Sequence, residues 1–422
     1  MTGRVNGLFK FALGSAHDAT GWSASMTLEQ VRPTGPDTGD RWRGLAVFVV
    51  RSAAAPLLDE AVAGVARGLE ILDVVVLDDQ QVTRVRGQVP APPARPVPAG
   101  APYALVVACD VVAPVGTSGV RATQDRVAAV LDYTEKRVLR RVPPREHYLP
   151  VQASSSPEHA LALLDALGDP GILHRIAGPV ADLGRRCAMP FPVVRMLGGT
   201  SPGCCARVAL VRHPVHGPSV CKVFRPGARE AFERELRARL ELGDLPEVPE
   251  LLERGENWLL TPFYGDTGRH VVRRLPGELA QLRPEVVRTL LRFCRDLHER
   301  GRFVLDLSPH NLVWDERAGL KVLDLEFVLD YPGEPPSWSD CWSLRGVPAE
   351  YRASVEGLPD LVLTRGVGNS VFHPAISGMN RARLLAEPPR GDAAHSGATQ
   401  LAWYSALGTV GRLHPALRGK RH

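Results

Sequence analysis

Leu297-His298-Glu299-Arg300-Gly301-Arg302-Phe303-Val304-Leu305-Asp306-Leu307-Ser308-Pro309-His310-Asn311-Leu312-Val313 is the stretch on which the fold turns. It grows out of a segment, Pro284 to Arg300, with Pro at its first position, apolar residues at Val287, Leu290, Leu291, Cys294 and Leu297, and Gly301 just past its end. That spacing and punctuation predict an amphipathic helix. Beyond the helix an acid, Asp306, and an amide, Asn311, stand close together in a loop without helical pattern. Each alone is an ordinary turn former.

Four other pieces share this part of the chain. Lys321-Val322-Leu323-Asp324-Leu325-Glu326-Phe327 reads as an apolar strand ending in an acid. Leu197-Gly198-Gly199-Thr200-Ser201-Pro202-Gly203, followed by strand alternation from Ala206 to Arg212, is a turn whose N–H groups can approach phosphate with no Cβ in the way. Ser219-Val220-Cys221-Lys222-Val223-Phe224 sets one lysine in an apolar strand, where burial is costly unless the charge is used. The run Ala228 to Leu242 is helix-forming and ends before Gly243. Its Glu235 shares a face with Ala231, Phe232, Ala238 and Leu242, so it needs a buried partner, and Lys222 is the expected one. Glu230 and Glu233 lie among Arg229, Arg234 and Arg237 as solvated charges.

In this order the pieces resemble the protein-kinase-like superfamily over about 190–350, through a D-x-x-x-x-N loop at Asp306 to Asn311 and a D-F-G-like segment at Asp324. The resemblance implies that Gly198, Gly199 and Gly203 line the ATP phosphates and that Lys222 contacts them, steadied by Glu235. It implies that Asp306 accepts the proton of an incoming hydroxyl and that Asn311 and Asp324 hold Mg2+. Trp258-Leu259-Leu260-Thr261-Pro262-Phe263-Tyr264-Gly265 resembles the hinge strand; with Thr261 as its last residue, the Pro262 carbonyl and the Tyr264 N–H would read adenine.

The pattern also departs from the superfamily. Thr200 takes the middle glycine of G-x-G-x-x-G, Val304-Leu305 replace His-Arg, Ser308 replaces a lysine, and Leu325-Glu326 replace Phe-Gly. Gly346-Val347-Pro348-Ala349-Glu350-Tyr351 is similar to a protein-substrate loop with Val347 for Thr, and the short chain remaining after it implies a reduced carboxy-terminal lobe. Similar Asp-x-Glu segments occur in atypical kinases.

The amino-terminal part has its own pattern. Gly44 to Arg51, Ile71 to Leu77 and Ala104 to Val112 read as strands, and Leu57 to Leu72, Ala122 to Tyr133 and Pro157 to Leu167 as helices, the last capped by Ser156. The order predicts a small α/β sandwich over roughly 40–170. It faintly resembles nucleoside diphosphate kinase at Val151-Gln152-Ala153-Ser154-Ser155-Ser156-Pro157-Glu158, where Gln152 stands at the position of the phosphate-accepting His. Glutamine cannot carry a phosphate as imidazole does, so this domain is expected to be inactive in that reaction.

The composition, 44% hydrophobic and 23% charged, is that of a packed globular protein. A net charge of +5 spread over 422 residues argues against nucleic-acid binding, and no apolar run is long enough to span a bilayer. Seven cysteines without a Cys-x-x-Cys pair support neither a zinc site nor a disulfide framework. A cytoplasmic protein is expected.

The resulting expectation is an α+β chain: a bilobal protein-kinase-like fold preceded by a small α/β sandwich. The domains are 1–185, an amino-terminal lobe at 190–265, and a reduced carboxy-terminal lobe and tail at 266–422. The implied function is an ATP- and Mg2+-dependent phosphotransferase acting on a hydroxyl of an unknown protein or small molecule. The alternative is a nucleotide-binding pseudokinase serving as a scaffold.

Overall fold

The computed structural model describes residues 40–90, 98–113, 117–198, 204–265, 271–274, 280–354, 369–379 and 384–386. Helices combined with antiparallel sheets place the protein in the α+β class. Contacts divide the described residues into two compact units, 40–233 with 250–263, and 234–249 with those from 264 onward.

The first unit holds two sheets. Strands β1 (Leu45–Arg51), β2 (Glu70–Val76), β3 (Pro102–Cys109) and β4 (Val151–Ala153) form an antiparallel sheet in the order β2-β3-β1-β4, a split β-α-β arrangement. Strand β1 is buried throughout because helices cover both its faces. Ala46, Phe48 and Val50 meet α1 (Leu58–Ala66) and α3 (Thr117–Leu139), while Leu45, Val47 and Val49 meet α2 (Asp79–Gln88), α4 (Pro157–Asp165) and α5 (Ile172–Arg186). A strand covered on both sides needs a continuous apolar run, which is why the segment does not alternate.

Two of these helices lie outside the sequence expectation. Helix α2 is polar and buries only Val85, but Asp78 and Gln81 close a capping box at its start. Helix α5 contains Pro179, normally a helix breaker, yet its stripe of Ile172, Ile176, Val180 and Leu183 is buried and outweighs the hydrogen bond that Pro cannot donate. Helix α1 is shorter than its apolar spacing suggested. The chain leaves it before Gly68, and Leu69 is buried at the entry to β2.

The second sheet orders β5 (Val193–Met196), β6 (Ala206–His213), β7 (Gly217–Phe224), β9 (Trp258–Pro262) and β8 (Glu253–Arg254) as β5-β6-β7-β9-β8, all antiparallel. Ala209, Val211, Cys221, Val223 and Leu260 form its core. Lys222 lies between Val208 on β6 and Leu259 on β9.

In the second unit α7 (Pro284–Glu299) is the central element. It buries Val286, Val287, Leu290, Leu291, Phe293, Cys294 and Leu297, each such side chain contributing about 1.5–3 kcal/mol when fully removed from water. Ala238 and Leu242, from the end of α6 (Arg229–Glu241) and just beyond it, pack into the same core. Around it lie the antiparallel pair β10 (Val272–Arg274) with β11 (Ala280–Leu282), the pair β12 (Arg302–Val304) with β15 (Val328–Asp330), and the hairpin β13 (Leu312–Asp315) with β14 (Gly319–Val322). Gly301 turns the chain from α7 into β12 at φ 75°, a conformation that favours glycine. No described helix is long and apolar enough to cross a membrane.

Candidate active site

Asp306 follows β12 and is the one non-glycine residue of positive φ, 58°, among those described. Its neighbours explain how such a conformation is held. Leu305 and Leu307 are buried, the Leu305 N–H donates to Phe327 O at 3.0 Å, and the Leu307 N–H donates to Asn369 Oδ1 at 2.7 Å. With both flanks anchored, the left-handed residue between them turns its side chain outward. Strain of this kind persists only where surrounding structure over-determines it, and it gathers at functional sites.

The β13–β14 hairpin brings in the other two groups. Its ladder pairs Leu312 with Val322, and one residue further out the Leu323 N–H donates to Asn311 O at 2.8 Å. Asp324 is therefore the next residue after a fixed contact with Asn311. Asn311 Nδ2 donates to the Asp306 carbonyl at 3.3 Å, which leaves its Oδ1 as an acceptor for something else. Asp306 is open to solvent on one side and crowded by protein on the others. That crowding, with the charge of Asp324 second, pushes its carboxyl up to about 6.

Half-buried Asp324, the spare Asn311 oxygen and the mutual repulsion of two carboxylates suit a hard divalent cation, which takes few protein ligands when it is Mg2+. A carboxylate oxygen from each of Glu235, Asp324 and Glu326 also lies within 4.8 Å of the others. Glu235 is fully buried on the apolar face that its spacing foretold. It forms an ion pair with Arg239, at 2.5 Å. Arg239 further donates to Leu323 O at 2.8 Å and Pro249 O at 3.3 Å, so the same guanidinium steadies the residue before Asp324. Arg234 donates to Glu326 O at 2.9 Å.

In the first unit Lys222 is half-buried, with Nζ 4.8 Å from the Phe224 ring centroid. The N–H groups of Leu197 and Gly198 both donate to Val208 O, at 2.8 and 3.1 Å. Gly199 and Gly203 lie outside the described residues. Pro262 sits opposite Ser219 and is itself the last residue of β9, one later than expected. Tyr264 belongs to the second unit, where its ring stands 5.3 Å from Lys321 Nζ. Gln152 has both ends of its amide engaged, accepting from Arg51 Nη2 and donating to Pro90 O.

Two contributors were missed by sequence reasoning. Buried Asn369 accepts from Leu307 N–H and donates to Val304 O at 2.9 Å and Ser343 O at 2.7 Å. Ser343 Oγ accepts from the Val304 N–H at 3.0 Å. Together they hold the backbone on both sides of Asp306. Nothing in the local sequence marks either one.

A further grouping, His213, His216 and Glu253, looks like a metal set but is wired as a hydrogen-bonded clip. His213 Nδ1 accepts from the N–H groups of Val215 and His216, so its proton is on Nε2, 3.1 Å from Glu253 Oε1.

No known family profile matches the chain. A stretch of 93 residues, 22% of the chain, is 32% identical to the cGMP-dependent protein kinase, isozyme 1, of Drosophila melanogaster. The chain spans about a tenth of that relative's length, 11%. The similarity links part of the chain to a protein kinase.

Proposed function

We propose that the protein is a phosphotransferase of the protein-kinase-like superfamily, with a bilobal arrangement, that binds Mg-ATP and transfers its γ-phosphate to a hydroxyl. The observation that carries this reading is the approach of Asp306, Asn311 and Asp324 to one another, with Asp306 strained outward and its carboxyl raised. Asp306 orients the acceptor hydroxyl and takes its proton. A carboxyl near 6 is ionised at neutral pH yet basic enough to receive that proton.

Asn311 and Asp324 would hold the metal. When bound, Mg2+ supplies charge neutralisation across the phosphates. Lys222, on its apolar strand, contacts phosphate oxygens, and the turn beginning at Gly198 offers backbone N–H groups to them. The similarity to a protein kinase supports this reading coarsely. The acceptor is a protein side chain or a small molecule bearing a hydroxyl.

Isothermal titration with Mg-ATP, alongside an assay of ATP consumption over a panel of hydroxyl acceptors, tests the proposal. Binding with turnover is the expected result. Binding without transfer, hydrolysis or autophosphorylation favours a nucleotide-binding scaffold, for which Leu325-Glu326 in place of Phe-Gly is the first explanation to test.

A further inference from the structure

The β6–β7 hairpin carries Lys222, and its open end is tied to the α/β sandwich by buried arginines. One strand enters through Cys204 and Cys205; the other leaves through Phe224 to Ala228, toward α6. The Arg225 N–H donates to Cys205 O at 3.0 Å, so the two ends are also bonded to each other.

On the outgoing side Arg225 is buried and reaches the end of α1. Nη2 donates to Ala66 O at 3.1 Å and Arg67 O at 2.6 Å, and Nη1 donates to Glu70 Oε1 at 2.7 Å and Leu69 O at 3.4 Å. A cation at a helix C-terminus meets the unsatisfied carbonyls and the negative end of the dipole. Glu70 Oε1 also accepts from the Gly227 N–H at 2.9 Å, so one carboxylate fixes both the arginine and the backbone just before α6.

On the incoming side Arg126, from α3, pairs with Asp110 at 3.1 Å, both side chains wholly buried. Its Nη1 donates to Cys204 O at 2.9 Å. Asp110 Oδ1 accepts from the Val112 and Ala113 N–H groups, which pins the carboxylate in turn.

Buried ion pairs are weak stabilisers against apolar replacements, but each permits few geometries. Here both converge on the backbone ends between which Lys222 is held, three residues from Arg225. We infer that the sandwich is a brace for the strand that carries Lys222, with Arg126 and Arg225 as positioning residues. The inference rests on the nucleotide reading of Lys222 given above.

The full chain carrying Arg225→Met is compared with wild type by Mg-ATP titration and by amide hydrogen exchange over 204–228. Loss of the bridge is expected to speed exchange there and to raise the Kd for Mg-ATP roughly tenfold, the scale of one lost charged hydrogen bond. Gly227→Ala serves if Arg225→Met does not fold. Its Cβ would come 2.6 Å from Arg225 Nη1 and 2.9 Å from Glu70 Oε1, displacing the bridge with every charge kept. A folded variant with wild-type exchange, or with faster exchange and unchanged affinity, overturns the brace. If wild type itself binds no Mg-ATP, the nucleotide reading fails, and exchange over 204–228 alone then decides whether the sandwich restrains the strand.

Discussion

Asp306 has a carboxyl that titrates near 6 in the folded protein and near 4, the ordinary aspartate value, in the unfolded chain. Between those values the unfolded state gives up its proton first, so stability from this residue falls as pH rises from about 4 to about 6 and stays lower above that range. Asp306→Asn removes the penalty. Metal-free Asp306→Asn is therefore predicted to melt above wild type at pH 7.5, with the gap closing at pH 4; equal melting temperatures at both pH values would count against the raised carboxyl. Asn369 acts on the same loop from 62 residues away. Asn369→Ala orphans the Leu307 N–H and the carbonyls of Val304 and Ser343, and urea unfolding should show a loss of about 3 kcal/mol, from penalties of ~1–3 kcal/mol per unsatisfied group. Asp306, Asn311 and Asp324 were legible because their spacing is itself a pattern. Asn369 was not, because a lone amide gains its role only when the fold brings it to the loop.

At the scale of elements, α6 and α7 were readable from one-sided apolar spacing, and their buried faces match it. The burial of Glu235 followed from the same rule. Within the second unit an Arg one helical turn away, at i+4, forms an ion pair with it. Arg239→Met should destabilise by about 3–5 kcal/mol, the scale for removing one member of a buried pair. The double variant Arg239→Met with Glu235→Gln should recover part of that loss, and a double variant as unstable as the sum of the singles would show the pair is not coupled. Helices α2 and α5 escaped notice for opposite reasons: α2 buries almost nothing, and α5 hides a strong stripe behind Pro179.

For the whole molecule, the α+β class followed from the succession of strand and helix patterns, while the strand order β2-β3-β1-β4 did not, since non-local pairing leaves no local mark. A sandwich that folds as its own domain, ending near 185, remains a proposal. It predicts that limited proteolysis first cuts at 187–192, between α5 and β5, and a first cut within 117–186 would contradict it. The central claim is phosphoryl transfer at Asp306 with the metal at Asp324. Its most direct measurement sets Mg-ATP affinity beside turnover for wild type, Asp306→Asn and Asp324→Asn. In the proposed mechanism Asp306 touches the acceptor rather than the nucleotide, so Asp306→Asn should lose turnover by at least about a hundredfold while binding nucleotide nearly as wild type, whereas Asp324→Asn should lose both. Equal loss of affinity in the two variants, or wild-type turnover in Asp306→Asn, would contradict the assignment.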